Sequence, residues 1–208
     1  MTRPVVAVID YGIGILHSAQ KSLEVCGADA RLTADPDEIA AAAGVVLPGV
    51  GAFGACMDAL RSTGLEASTL DAATSGRPFL GICVGMQMLF TRSEEDTAAV
   101  GLDLIPGTVR WIPPADGLKI PQMQWNRLQV TATDDPVLAG LGDDAWLYFV
   151  HSLHGVPDDP TMVTATVEYG STVNAAFRNG NVVAAQFHPE KSSRHGLAML
   201  ANFVQECA

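Results

Sequence analysis

Residues 79–87 read Phe79-Leu80-Gly81-Ile82-Cys83-Val84-Gly85-Met86-Gln87. An apolar run ends in Cys83, a glycine stands two residues before it and another two after, and a helix-like segment follows. A strand must turn abruptly into a helix here, and a side chain at either flank would crowd the turn. This is the form of a nucleophile elbow, with cysteine where hydrolases carry serine. A helix N-terminus beneath the sulfur favours thiolate, and thiolates attack acyl carbons. Cys83 is therefore the candidate nucleophile.

A nucleophile needs a base. His188 and Glu190 are two apart, with Pro189 between them. In an extended segment such residues point the same way. Proline fixes its own φ and pushes His188 toward the β region. Glu190 can then hold the imidazole in one tautomer while the other nitrogen faces a thiol. Alone, His-x-Glu is an ordinary polar strand end. Beside the Gly-x-Cys-x-Gly elbow it reads as base and orienter.

Attack on an amide makes an oxyanion, which backbone N–H groups must meet. The N–H of Val84, next after the nucleophile, is one donor. A second apolar run enters a glycine loop at Leu47-Pro48-Gly49-Val50-Gly51-Ala52-Phe53. Val50 and Gly51 can supply the other donor, because glycine permits close backbone approach. Read by itself, this loop is a tight turn before a helix.

The order of elements sets the fold class. Val5–Ile9 reads as a buried strand, 16–26 and 36–43 as helices, 45–47 as a strand, and 53–60 and 65–75 as helices. A strand at 79–82 and a helix at 84–90 follow. Such alternation predicts an α/β fold with a mostly parallel sheet and helices on both faces. Chemistry then belongs at the C-terminal strand ends, where Asp10, Gly49 and Cys83 fall. The second half is β-rich, with a hairpin turning at Asn179-Gly180 and a closing helix at 197–207. No linker or repeat divides the chain, so one domain over 1–208 is expected. Gly12-Ile13-Gly14 lacks the third glycine of a dinucleotide fingerprint, where His17 stands. His151 and His154 lack a matching carboxylate or thiol, so they read as structural or interface histidines rather than a metal pair.

A length of 208 residues with 48% apolar content supports a well-buried core. The net charge of −11 argues against nucleic acid, whose phosphates require a basic face. The pairs Asp134-Asp135, Asp143-Asp144 and Asp158-Asp159 read as solvated loops. Cys26, Cys56, Cys83 and Cys207 show neither zinc spacing nor a disulfide framework, which fits reduced thiols in a cytoplasmic enzyme. The apolar run at Val5–Ile9 is too short for a signal segment or a membrane span.

Together these segments resemble the class I, triad-type glutamine amidotransferases, over nearly the whole chain. The more specific likeness lies in Ile9-Asp10-Tyr11-Gly12-Ile13-Gly14, the 47–53 loop, Tyr148-Phe149-Val150-His151-Ser152 and Gln186-Phe187-His188-Pro189-Glu190-Lys191-Ser192. These narrow the resemblance to glutaminases serving histidine biosynthesis. The resemblance implies a flavodoxin-like architecture, glutamine hydrolysis by Cys83, His188 and Glu190, and no cofactor or metal. It implies substrate contacts from Gly49, Gln87, Glu95, Ser152 and Leu153. It further implies a (β/α)8-barrel cyclase partner that takes the ammonia to make imidazole glycerol phosphate and an aminoimidazole-carboxamide ribotide. Lys119 and Trp125 are the implied partner contacts, in a segment whose Pro121 is unsuited to a buried strand. Ile15, Gln122, Gln124 and Leu153 depart from the family pattern, where Asn, His, Gly and Tyr are usual; none touches the triad. The elbow and His-Pro-Glu alone would also fit a glutaminase serving another pathway. A protease-like relative is the second alternative.

Overall fold

The computed structural model describes residues 2–14, 16–142 and 144–208, so Ile15 and Asp143 lie outside the described residues. The first half alternates β1 (Val5–Ile9), α1 (Leu16–Val25), β2 (Asp29–Thr33), α2 (Pro36–Ala41), β3 (Gly44–Gly49), α3 (Phe53–Ser62), α4 (Glu66–Thr74), β4 (Phe79–Cys83) and α5 (Val84–Gln87). The second half is strand-rich: β5 (Phe90–Ser93), β6 (Ile105–Trp111), β7 (Gln122–Arg127), β8 (Gln129–Val130), β9 (Trp146–His151) and β10 (Leu153–Pro157). Then come β11 (Val163–Glu168), β12 (Thr172–Asn179), β13 (Val182–Ala185) and α6 (Ser193–Glu206).

An eight-stranded sheet runs β2-β1-β3-β4-β13-β12-β11-β8. The strands from β2 to β13 are mutually parallel; β12, β11 and β8 continue it antiparallel. β3 and β4 are buried at every residue, as continuous apolar strands covered on both faces must be. Right-handed crossovers put α1 on one face and α2, α3 and α4 on the other, because the chain reverses direction across the sheet after β2. α6 returns to pack on α1. Local chemistry agrees at α2, where Pro36 opens the helix and the Asp35 carboxylate accepts the Asp37 N–H.

Smaller sheets, β10-β6-β5 and β7-β9, cover the C-terminal end of the large one. Gly49 stands opposite Cys83, and Ala185 opposite Ile82. The ends of β3, β4 and β13 therefore meet at one place.

The structure corrects five local expectations. The helix expected over 84–90 stops at Gln87, and Phe90 opens β5, where its ring packs edge-on against Phe177 at 5.3 Å. Tertiary packing overrides the helical pattern. The hairpin turns on Gly180-Asn181, since Asn179 pairs with Val182; Gly180 takes a φ of 58°. The closing helix begins at Ser193 rather than 197. Asp135, expected in a solvated loop, is buried and its carboxylate pairs with Arg178 at 2.9 Å. The Trp125 segment, expected to be unsuited to a buried strand, forms one that leaves Met123, Gln124 and Trp125 exposed.

Gly85 tests the elbow's packing. A Cβ there would lie 2.0 Å from the Leu47 carbonyl oxygen, which is fixed backbone. Gly85→Ala should cost at least about 2 kcal/mol of stability in denaturant unfolding. A change within about 0.5 kcal/mol would mean that the elbow has slack.

Candidate active site

Cys83 ends β4 with φ 55° and ψ −116°, a conformation that costs a non-glycine residue about 1–3 kcal/mol. The cause is close packing on both sides. A Cβ on Gly81 would meet Met86 Cα at 2.9 Å, and one on Gly49 would meet the Gly85 nitrogen at 2.5 Å. β3 and the elbow thus press backbone to backbone. α5 is a single turn, so the helix dipole under the sulfur is weaker than the sequence implied.

The base is held by its own surroundings. His188 N–H donates to the Tyr148 carbonyl at 3.0 Å, Tyr148 N–H donates to Ser192 Oγ at 2.9 Å, and the Ser192 hydroxyl donates to the His188 carbonyl. This ring of bonds ties the residue after β13 to β9. Glu190 Oε1 sits 2.7 Å from His188 Nδ1, and both side chains are buried. Burial pushes the imidazole down, but its hydrogen bonds to Cys83 and Glu190 outweigh this and raise it to about 9. His188 therefore holds its proton at neutral pH, beside the sulfur.

A cleft of about 200 Å³ opens over Cys83, lined by Gly51, Val84, Gln87, Glu95, Ser152 and Leu153 among others. Six of the residues expected from sequence thus join Cys83 on one wall system. Gln87 Nε2 donates to Gln186 Oε1 at 3.1 Å, and Gln186 Nε2 lies 3.9 Å from Cys83 Sγ. One Glu95 oxygen accepts the Phe53 N–H at 2.7 Å, at the start of α3. That fixes the carboxylate at the cleft edge. A hollow of about 290 Å³ beside β2 and α2 is larger, yet its lining of Val5, Ala7, Arg31, Thr33, Asp37, Glu38 and Ala41 holds no thiol and no imidazole. The chemistry belongs to the smaller cleft.

Two expected residues sit differently. Gly49 is buried against the elbow, and with Val50 it borders a hollow of about 10 Å³ beside His188 and Glu190 rather than the cleft. Gly49 is a packing residue here. The glycine loop is tethered from below: the Tyr11 hydroxyl donates to the Pro48 carbonyl at 2.8 Å, and the Cys56 thiol to the Val50 carbonyl at 3.3 Å. Gly51, at φ 94°, faces the cleft.

Lys119 and Trp125 are both exposed. The Lys119 carbonyl accepts the Tyr169 hydroxyl at 2.6 Å. Trp125 packs edge-on against Tyr148 at 6.2 Å, and Tyr148 lies 6.5 Å from the His188 ring. Sequence reasoning missed Trp111, Val150 and His151 on the cleft wall, and Gln186 and Ser192 behind the base. Gln186 follows directly on β13 and lies two residues before His188, past a bend that no short motif specifies. Trp111 carries no local signal.

The chain belongs to the class-I glutamine amidotransferase family, whose model matches residues 7–207. Within that family it is 52% identical over 208 residues to the imidazole glycerol phosphate synthase subunit HisH of Synechococcus elongatus, covering 100% of this chain and 95% of that one. It is 47% identical to the subunit HisH of Syntrophotalea carbinolica, covering 95% and 98%. A crystal structure of a glutamine amidotransferase superposes with a TM-score of 0.75 at 18% identity, covering 97% of this chain and 98% of that one. PurLQS from Thermotoga maritima gives 0.73 at 22%, covering 99% and 97%. These two likenesses are of fold.

The His188–Glu190 pair makes a pH prediction. Because the folded value lies above the unfolded 6.5, the proton that Cys83 and Glu190 together hold on His188 stabilises fully below pH 6.5, and that stabilisation fades as pH rises to about 9. Glu190→Gln should be less stable than the parent by roughly 2 kcal/mol at pH 6. The difference should shrink steadily toward pH 9. A deficit that stays constant or grows with pH contradicts the charged pair.

Proposed function

We propose that this chain hydrolyses glutamine to glutamate and ammonia, and passes the ammonia to a (β/α)8-barrel cyclase that makes imidazole glycerol phosphate in histidine biosynthesis. The observation that carries this is Cys83, held at positive φ, sharing one cleft with Gln87 and Glu95 while His188 and Glu190 stand behind it. The relatives at about half identity carry the name of a synthase subunit, which supports a second chain.

Cys83 Sγ attacks the side-chain carbonyl carbon of glutamine. The N–H groups of Val84 and the Val50–Gly51 segment meet the oxyanion. His188 gives its proton to the leaving ammonia, then takes one from the water that cleaves the thioester. Glu190 keeps the imidazole oriented throughout. Gln87, Glu95 and the backbone at Ser152 and Leu153 hold the amino-acid end of the substrate.

Ammonia released into water is lost by protonation, so a docked acceptor is required. β7 and β9 present Met123, Trp125 and Trp146 to solvent, an aromatic and thioether surface of the kind that anchors interfaces. Lys119 is exposed in the segment that leads into β7. Four free thiols, three of them buried, fit a single amidotransferase domain in the reducing cytoplasm. Among the described residues no helix is long and apolar enough to cross a membrane.

Steady-state glutamate release with cyclase present tests the triad. His188→Ala should abolish it, by about 10³-fold or more, and Glu190→Gln should reduce it less. Most of the activity surviving in His188→Ala would refute the assignment.

Coupling makes a separate prediction. Gly49 is packed against the elbow, but Gly51 has open space around it and the Val50–Gly51 peptide is held by one weak thiol bond from Cys56, so the second oxyanion donor need not be in place without the partner. The chain alone should hydrolyse glutamine slowly, the complex faster, and the complex with the cyclase nucleotide fastest. Trp125→Ala should weaken cyclase binding by at least about 2 kcal/mol in calorimetry. Equal rates in all three states, or unchanged affinity in the variant, would rule out this coupling scheme.

A further inference from the structure

Gln122, the first residue of β7, is completely buried, and its side-chain amide lies against His151. His151 bridges a break in the chain. Its Nδ1 lies 2.6 Å from the Leu153 carbonyl, so the ring spans Ser152, where β9 ends and β10 begins. β9 pairs with β7, while β10 pairs with β6. The imidazole thus fastens two separate sheets together at the cleft wall formed by His151, Ser152 and Leu153.

Counting donors shows what Gln122 must do. The Leu153 carbonyl only accepts, so His151 Nδ1 carries a hydrogen. Burial lowers the His151 pKa to about 4, despite the opposing bond to Leu153. The ring is therefore neutral and has one hydrogen, and Nε2 is a bare lone pair. Gln122 Oε1 stands 2.9 Å from that lone pair, and two acceptors cannot bond. Gln122 Nε2 meanwhile is buried with no partner. The two ends of a carboxamide have the same shape, so the hydrogen-bond network decides their placement. Turning the amide over gives both nitrogens their partner at once.

We propose that Gln122 is a positioning residue for glutamine: its amide N–H donates to His151 Nε2 and holds the ring so that Nδ1–H fastens Leu153 across Ser152. The proposal rests on reading the cleft as the glutamine site. It also ties the exposed strand β7 to the substrate wall, because Gln122 is followed directly by solvent-facing Met123.

Nitrogen-15 NMR of the full chain with labelled histidine reads the ring directly, with His151→Gln assigning the signal. At pH 7 His151 should be neutral with its hydrogen on Nδ1. In Gln122→Glu the new carboxylate should draw a second proton onto Nε2. In the cyclase complex, Gln122→Met should raise KM for glutamine about 10-fold with kcat changed less than about 2-fold, as loss of one buried hydrogen bond implies. Gln122→His, which restores a donor, should bring KM most of the way back. A hydrogen on Nε2, an imidazolium in the parent chain, or an unchanged KM in Gln122→Met would each overturn the proposal while leaving glutamine hydrolysis standing. The expected tautomer without any turnover of glutamine would overturn the reading of the site itself, and the role of Gln122 with it.

Discussion

The structure depends on one close approach, that of β3 against the elbow. The Leu47 carbonyl lies where a Cβ on Gly85 would have to go, and the Gly85 nitrogen crowds the place of one on Gly49. Only glycine permits that contact, and the contact holds Cys83 at φ 55°. Strain of this kind persists when the surroundings over-determine it. The surroundings here are the parallel pairing of β3 with β4 and the all-buried character of both strands. The same approach brings the glycine loop beside the nucleophile, where an oxyanion would form.

The second constraint is electrostatic. A charged imidazole in a buried setting requires compensation, and Glu190 and Cys83 supply it. The backbone ring through Tyr148 and Ser192 then decides where that imidazole stands. β9 thereby helps to place His188 without offering a reactive side chain. Because Tyr148 also contacts Trp125, the proposed docking strand and the base share one neighbour. A shift of the exposed sheet has a short mechanical path to the proposed triad.

Much of this was legible in the sequence, for definite reasons. Short apolar runs ending at Asp10, Gly49 and Cys83 located β1, β3 and β4, and a parallel sheet puts its chemistry at those ends. The elbow and the His-x-Glu spacing pointed to Cys83, His188 and Glu190, although Glu190 sits in a single 3-10 turn over Pro189–Lys191 and not on the extended segment expected of it. The length of α5 was not legible, since the ring of Phe177, far along the chain, sets where Phe90 turns into a strand. The close packing of Gly49 on Gly85 was not legible either, since it depends on the distance between two strands' ends. Trp111 and His151 reach the cleft through β6 and β9, whose pairing partners no short motif specifies. The exposed strand β7 escaped notice because an edge strand open to solvent loses the alternation by which strands are recognised.

The central claim is that Cys83, alone among four cysteines, is the nucleophile for a glutamine amide. Covalent labelling with an electrophilic glutamine analogue, followed by peptide mass spectrometry, addresses it most directly. The account predicts one label per chain, on Cys83, with protection by glutamine. Buried thiols such as Cys56 and Cys207, pushed up by burial, should stay unmodified. Label on Cys26, Cys56 or Cys207 with Cys83 left free would contradict the account at its root.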